Sequence, residues 1–270
     1  MNRDEIISFA VNFTDEFKGN LITEENAISP DCVGLRLFDP PIFAFGSPFD
    51  KLYEEFKSTS IIGGHFLPPV EWLPGVKTVI AFFLPYTKSV KTANSIDQKW
   101  PSDEWLHGRY EGQVFLKELI AGIEKLISDA GYKSLTPTFD TRYKVGIETD
   151  KNTSNWSERH VAFACGLGTF GLSAGLITDM GVCGRIGCII TELELPKDER
   201  RFERSLEYCK TCGACIKKCP SKAISFEGGK NNTACSELLG KTYKKHKPRY
   251  GCGKCQTKVP CESVMPRKLG

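Results

Sequence analysis

The sequence predicts a layered α/β or α+β domain over residues 1–196, a charged linker at 197–207, and a cysteine-rich ferredoxin-like module over 208–270. Three observations predict it. Helix-periodic stretches alternate with short apolar runs that stop at prolines, the pattern of a layered domain. Residues 197–207, KDERRFERSLE, are dominated by charge. Eight of the twelve cysteines fall after residue 205. A chain of 270 residues that is 40% hydrophobic suits one large domain plus a small module, with a sizeable core.

Taken in order, residues 3–18 place Ile6, Ile7, Phe9, Ala10, Phe13 and Phe17 at helical spacing. Acids flank those apolar positions, so the N-terminus reads as an amphipathic helix and not as a cleaved leader. Val33–Phe38 and Lys77–Phe83 read as strands, the first closed by Asp39-Pro40-Pro41 and the second by Pro85. The stretch between them, with FAFGSPFDKLYEEF and IIGGHFLPPVEWLPG, reads as loop-rich. Its Gly, Pro and aromatic residues suit a flat-ligand pocket or ordinary loop packing. Residues 102–131 give the clearest helix: Ser102 caps it, Leu116, Leu119, Ile120, Ile123, Leu126 and Ile127 form a stripe, and Gly131 ends it. Residues 138–148 read as extended, Asn155–Ala164 as a helix, and Cys183–Leu195 as an apolar strand closed by Pro196. The run Val79–Leu84 is far too short to cross a bilayer. The formal net charge of +3 by itself calls for no polyanionic partner. Clustered thiols fit a reducing cytoplasm, and no membrane partner is expected.

The module opens on CKTCGACIKKCP, with Cys209, Cys212, Cys215 and Cys219 spaced C-x2-C-x2-C-x3-C and followed by Pro220. This is the bacterial ferredoxin spacing, in which three thiolates serve one 4Fe–4S cube and the fourth serves its neighbour. Soft thiolates suit iron, and two-residue gaps let a tight loop aim successive sulfurs at one centre. A zinc site or a disulfide framework would also use cysteines, but zinc motifs rarely string four so closely before a proline, and nothing else in the chain reads as secreted. Cys235, Cys252, Cys255 and Cys261 bring the count to eight, enough for two cubes with four ligands each. The expected partition is Cys209, Cys212, Cys215 and Cys261 for one, and Cys219, Cys235, Cys252 and Cys255 for the other. The wide gaps before Cys252 and Cys261 leave one cube plus unassigned thiols as the other reading. Cys32, Cys165, Cys183 and Cys188 read as small buried hydrophobes. Residues 241–249, KTYKKHKPR, hold five basic residues and no acid, a solvated face or a docking loop for an acidic partner or nucleic acid. Gly166, Gly168 and Gly171 match G-x-G-x-x-G, but helical spacing precedes them where a Rossmann fingerprint needs a strand.

The ordered motifs SERHVAFACGLGTFGLSAGLITDMGVCGRIGCIITELEL, CKTCGACIKKCPSKAI, ACSELLG and YGCGKCQ resemble epoxyqueuosine reductases and the related reductive dehalogenases over about residues 100–262. The resemblance implies a nitroreductase-like scaffold holding base-off cobalamin, fed with electrons by two 4Fe–4S clusters. It implies that Gly166, Leu167, Gly168, Thr169, Phe170 and Gly171 form a turn against the corrin and that Arg185 pairs with a corrin amide. It marks Glu158 as the acid on the preceding helix and Tyr110 as a possible proton donor, although a helix-surface pair and a packing tyrosine are equally open. Where the family carries a general-acid aspartate, this chain reads ETDKNTSNW, with Asp150 the nearest acid. The tRNA enzymes continue into helical repeats, and a chain ending at Gly270 is not expected to act on tRNA. The function implied is reduction of an unidentified substrate, with a flavodoxin or ferredoxin donor docking at 241–249. The alternatives are a reductive activator of a partner corrinoid protein and a ferredoxin-fused flavin or nucleotide domain.

Overall fold

A computed structural model describes residues 1–147 and 153–266. In chain order its elements are α1 (Arg3–Glu16), β1 (Ile42–Gly46), α2 (Leu52–Glu55), α3 (Pro69–Trp72), β2 (Thr78–Pro85), α4 (Lys88–Asn94), α5 (Asp103–Asp129), β3 (Ser134–Leu135), α6 (Glu158–Ala164), β4 (Gly168–Phe170), β5 (Leu176–Thr178), β6 (Gly184–Thr191), α7 (Ala214–Lys218), β7 (Ile224–Ser225), β8 (Gly229–Lys230) and α8 (Asn232–His246). One four-stranded sheet runs β1-β2-β6-β3, and every neighbouring pair is antiparallel.

β2 reads TVIAFFLP, and all eight residues are buried. A strand this apolar on both faces must be covered on both faces. Ile80, Phe82 and Leu84 point into a core with α1 and α5, while Val79, Ala81 and Phe83 join α2, α3 and α6 on the other side. The result is a helix–sheet–helix sandwich, a mixed α/β fold whose sheet is antiparallel throughout. α5 starts where Ser102 Oγ accepts the Trp105 N–H at 3.2 Å, and its Leu116, Leu119, Ile120, Ile123 and Ile127 are buried. Among the described residues no helix is long and apolar enough to cross a membrane.

Three expected segments differ. Val33–Phe38 forms only isolated bridges, Leu21 to Arg36 and Phe38 to Tyr86. The buried Asn20 side chain takes the place of a ladder there, accepting the Phe38 N–H at 2.9 Å and donating to its carbonyl at 3.0 Å. The strand lies just beyond, at β1, inside the stretch read as loop. Pro40 and Pro41 lack N–H donors, so pairing begins only at Ile42, opposite Phe83. The extended segment at 138–148 is instead a 3-10 turn, Pro137–Phe139, followed by irregular chain over its described part. α6 begins at Glu158, because the buried Asn155 amide is committed elsewhere: it donates to Arg142 O and accepts from Lys144 N–H, both at 2.8 Å.

Residues 197–207 are fastened to the sandwich. Asp198 accepts from Arg3 and from the Phe45 N–H, Arg200 donates to Asp50 and to Ala164 O, and Phe202 is buried in the core.

Candidate functional site

The eight late cysteines gather in two fours. Cys209, Cys212, Cys215 and Cys261 line one narrow hollow beside Gly213 and Pro260. Left-handed Thr211 (φ 49°) and Gly213 (φ 71°) turn the chain sharply between these thiols before α7. Burial pushes the Cys261 thiol up to about 12, and the charges of Cys209, Cys215 and Cys212 add to it. The other four, Cys219, Cys235, Cys252 and Cys255, line a separate cavity of about 480 Å³. Burial pushes Cys255 up to about 12; Lys230 opposes this, and Cys252, Cys235 and Cys219 reinforce it. Such thiols are not ionised on their own at neutral pH, and iron would supply the positive charge that four thiolates need. The donor set therefore fits two cubes. Among the described residues no group of His, Cys, Asp and Glu forms a site for a single metal ion.

Specific bonds position the second four. Cys235 sits in the first turn of α8, which Asn231 Oδ1 caps by accepting the Ala234 N–H. Asn94 Nδ2 donates to Cys252 O at 3.0 Å, and the buried Lys254 ammonium donates to Asn94 O at 2.7 Å. Arg249 donates through Nε to Glu111 Oε1 at 3.0 Å and through Nη2 to Asn26 O at 2.7 Å. Glu111 in turn faces His107, whose Nε2 accepts the Ile28 N–H at 3.0 Å. Arg249 is thus pinned to α5, and residues 241–246 are helical, so the basic segment is mostly the exposed end of α8 and not a loop. Lys244, Lys245 and His246 fall in its last turn, where cations complement the helix dipole.

The 480 Å³ cavity also receives Glu158, Arg159, Arg185 and Arg109, walled by Tyr86, Tyr143, Trp105 and Trp156. Glu158 opens α6, and Thr138 Oγ1 donates to it at 3.3 Å. Burial raises its carboxyl to about 7, against the opposing pull of Arg185, the Thr138 hydrogen bond and Arg159. Arg185 lies on β6 opposite Leu84, and burial lowers its guanidinium from the usual range. Arg159 is exposed while lining the cavity, and its Nη1 donates to Ala174 O at 2.6 Å. The Trp105 and Trp156 indole N–H groups are buried with no partner. The aromatic walls would give a flat ring such as a corrin a stacking surface, while those two N–H groups are sealed by protein and not offered to it.

Other expected site residues lie apart. Tyr110 does not line the cavity; it is 39% exposed, with the Arg249 guanidinium 5.6 Å from its ring. Asp150 lies outside the described residues. None of residues 166–171 lines the cavity. Gly168 and Phe170 belong to the β4–β5 hairpin, Leu167 and Thr169 are buried, and Gly171 borders the first cysteine hollow. Gly166 adopts φ +89°, a left-handed turn. A Cβ on Gly168 would lie 2.2 Å from Ile177 O, so protein backbone, not a ligand, demands that glycine. Gly168→Ala is therefore expected to cost about 1–3 kcal/mol. Its melting temperature should fall equally with and without added cobalamin; a loss confined to the cobalamin-loaded protein would return the turn to the cofactor site.

Comparison with known proteins bears on the iron–sulfur segment and on the fold. Residues 203–225 match the 4Fe-4S binding domain. An epoxyqueuosine reductase of Bacillus cereus is 24% identical over 93% of this chain and 66% of its own length. The solved epoxyqueuosine reductase with an epoxyqueuosine-modified tRNA stem loop superposes with a TM-score of 0.54 at 20% identity, over 86% of this chain and 64% of that one. A catabolic reductive dehalogenase gives 0.55 at 15% identity, over 82% and 30%. The chain thus carries an iron–sulfur domain and shares the fold of these reductases. Its sequence is similar to that of epoxyqueuosine reductases along nearly its whole length, and it spans about two thirds of theirs.

Proposed function

We propose that this protein is an iron–sulfur reductase with a nitroreductase-like scaffold, in which two 4Fe–4S clusters feed electrons to a base-off corrinoid in the cavity for reduction of a small substrate. The observation that carries this reading is that the second cysteine quartet and Glu158 line one cavity. Cys209, Cys212, Cys215 and Cys261 would hold the outer cluster, with Cys212 exposed toward a donor. Cys219, Cys235, Cys252 and Cys255 would hold the inner one. The corrinoid, when bound, supplies low-potential cobalt chemistry that no side chain offers. Glu158 holds its proton near neutral pH and faces the cavity, as a general acid must. Trp105, Trp156 and Tyr86 exclude water from the inner wall. Exposed Lys241, Lys244, Lys245 and Lys247 give an acidic flavodoxin or ferredoxin a docking face, and tRNA is not the substrate we propose.

The test is anaerobic reconstitution followed by titration with hydroxocobalamin. The expected result is about eight irons per chain, four for each cube, and a spectral shift to the base-off form. Eight irons with no shift would leave an electron carrier, such as an activator of a separate corrinoid protein, and would overturn the proposal.

A further inference from the structure

The cavity carries an imbalance of charge that electron delivery does not explain. Among the described residues lining it, Arg109, Arg159, Arg185 and Lys230 are cationic, and Glu158 is the sole carboxylate. Glu158 and the cysteine quartet account for two of the four cations: Arg159 feels the charge of Glu158 first and of Cys235 after it, and Lys230 acts on Cys255. Arg185 and Arg109 line the same cavity instead, and the Arg109 charge disfavours that of Arg185. The remaining groups acting on Arg185 are Tyr86, Glu158 and Tyr250. The Arg109 guanidinium lies 4.9 Å from the Tyr250 ring, a contact that fixes its direction without neutralising it. Two like charges sharing one half-buried cavity repel unless an anion joins them. Guanidinium forks match planar oxyanions two bonds at a time.

We propose that Arg185 and Arg109 form an oxyanion subsite, so that the cavity takes a ligand carrying a carboxylate or phosphate group. The subsite stands on both arginines lining one cavity that holds a single carboxylate among its described residues; only the naming of that ligand as the substrate rests on the reductase reading above. An anionic head held there lies in the same cavity as Glu158, which leaves the rest of a small molecule to meet the acid and the inner cluster. The same chemistry could come from the phosphate in the nucleotide tail of a corrinoid, and the two sources are separable.

The test is calorimetric titration of the cluster-reconstituted, corrinoid-free protein with benzoate and with inorganic phosphate. At least one should bind, and Arg185→Met should weaken it by about 10- to 100-fold, the worth of a charge-assisted hydrogen bond. Arg185→Lys should retain part of the affinity, and iron content and melting temperature report that both variants fold. Repeating the titration after loading cobalamin or cobinamide identifies the source. Anion binding that survives both loadings assigns the subsite to substrate. Binding blocked by cobalamin but not by cobinamide, which lacks the phosphate, assigns it to the corrinoid tail. No binding of either anion, or equal binding by wild type and a folded Arg185→Met, overturns the subsite. Anion binding without any cobalamin spectrum would keep the subsite and sink the corrinoid reading, while the reverse pattern would do the opposite.

Discussion

Cys255→Ser is expected to remove about half of the iron, leaving about four atoms per chain, and to end electron delivery to the cavity. Cys255 is surrounded by protein and shares its cavity with Cys219, Cys235 and Cys252. Serine is a hard, poorly ionised ligand in an apolar wall, so the inner cube loses a corner it cannot replace from solvent. The outer four lie around a different hollow and should keep their cube. Low-temperature electron paramagnetic resonance of the reduced variant should therefore show one cluster where the wild type shows two interacting ones. Turnover with an artificial reductant should be undetectable. Cys183→Ser is the matched control. Its thiol is fully buried in the sandwich core, near Cys255 and Cys261 but outside both fours, and iron content should stay near eight. Equal iron loss in the two variants would overturn the partition of the cysteines.

Glu158→Gln should slow turnover by about 10²- to 10⁴-fold, the usual contribution of a general acid, while iron content and cobalamin binding persist. The variant should also change how rate and stability depend on pH. Burial raises the wild-type carboxyl from 4.5 in the unfolded chain to about 7 in the folded one. Below pH 4.5 both states hold the proton, and the folded state has its full stability. Between the two values only the folded state holds it, so stability falls as pH rises, by about 3 kcal/mol in all. Above about 7 the loss is complete. Wild-type turnover should follow the same proton and fall on an alkaline limb centred near pH 7. A neutral amide carries no such proton, so the variant should lose this alkaline limb. Its stability should be flat over the interval, leaving it more stable than wild type at pH 8. Denaturant melts at several pH values read the stability, and an unchanged slope in the variant would remove Glu158 from the role.

The legible parts of this chain are those where local chemistry decides. The spacing of Cys209 to Cys219 names its element because tight loops and soft ligands leave few alternatives. α5 is legible because its cap, stripe and stop agree over 27 residues. The errors fall where a distant side chain decides. Asn20, not a strand partner, satisfies Phe38, and Asn155 closes a loop where a helix was read to begin. Tyr110 and Arg109 are one residue apart, which on a helix is a rotation of about 100°. Trp105 and Arg109, four apart, share the face toward the cavity, and Tyr110 turns away from it. A count of i, i+4 partners from Trp105 would have picked the arginine. The GLGTFG turn follows a related rule: glycine reports close approach without saying of what, and at Gly168 the neighbour is Ile177.

The stitching of the module to the sandwich has one more consequence. Val182 N–H donates to Cys261 O at 2.8 Å, Asn94 holds Cys252, and Glu111 holds Arg249, so the cysteine loops are anchored to β6's approach, α4 and α5 at separate points. Enzymes that carry a redox centre on a tethered arm must wait for that arm to swing, and solvent friction enters their rates. On the function proposed above, a frame anchored at three places would work as a fixed conductor: charge would cross it while the polypeptide stays still, and only arrival of the external donor would be left to diffusion.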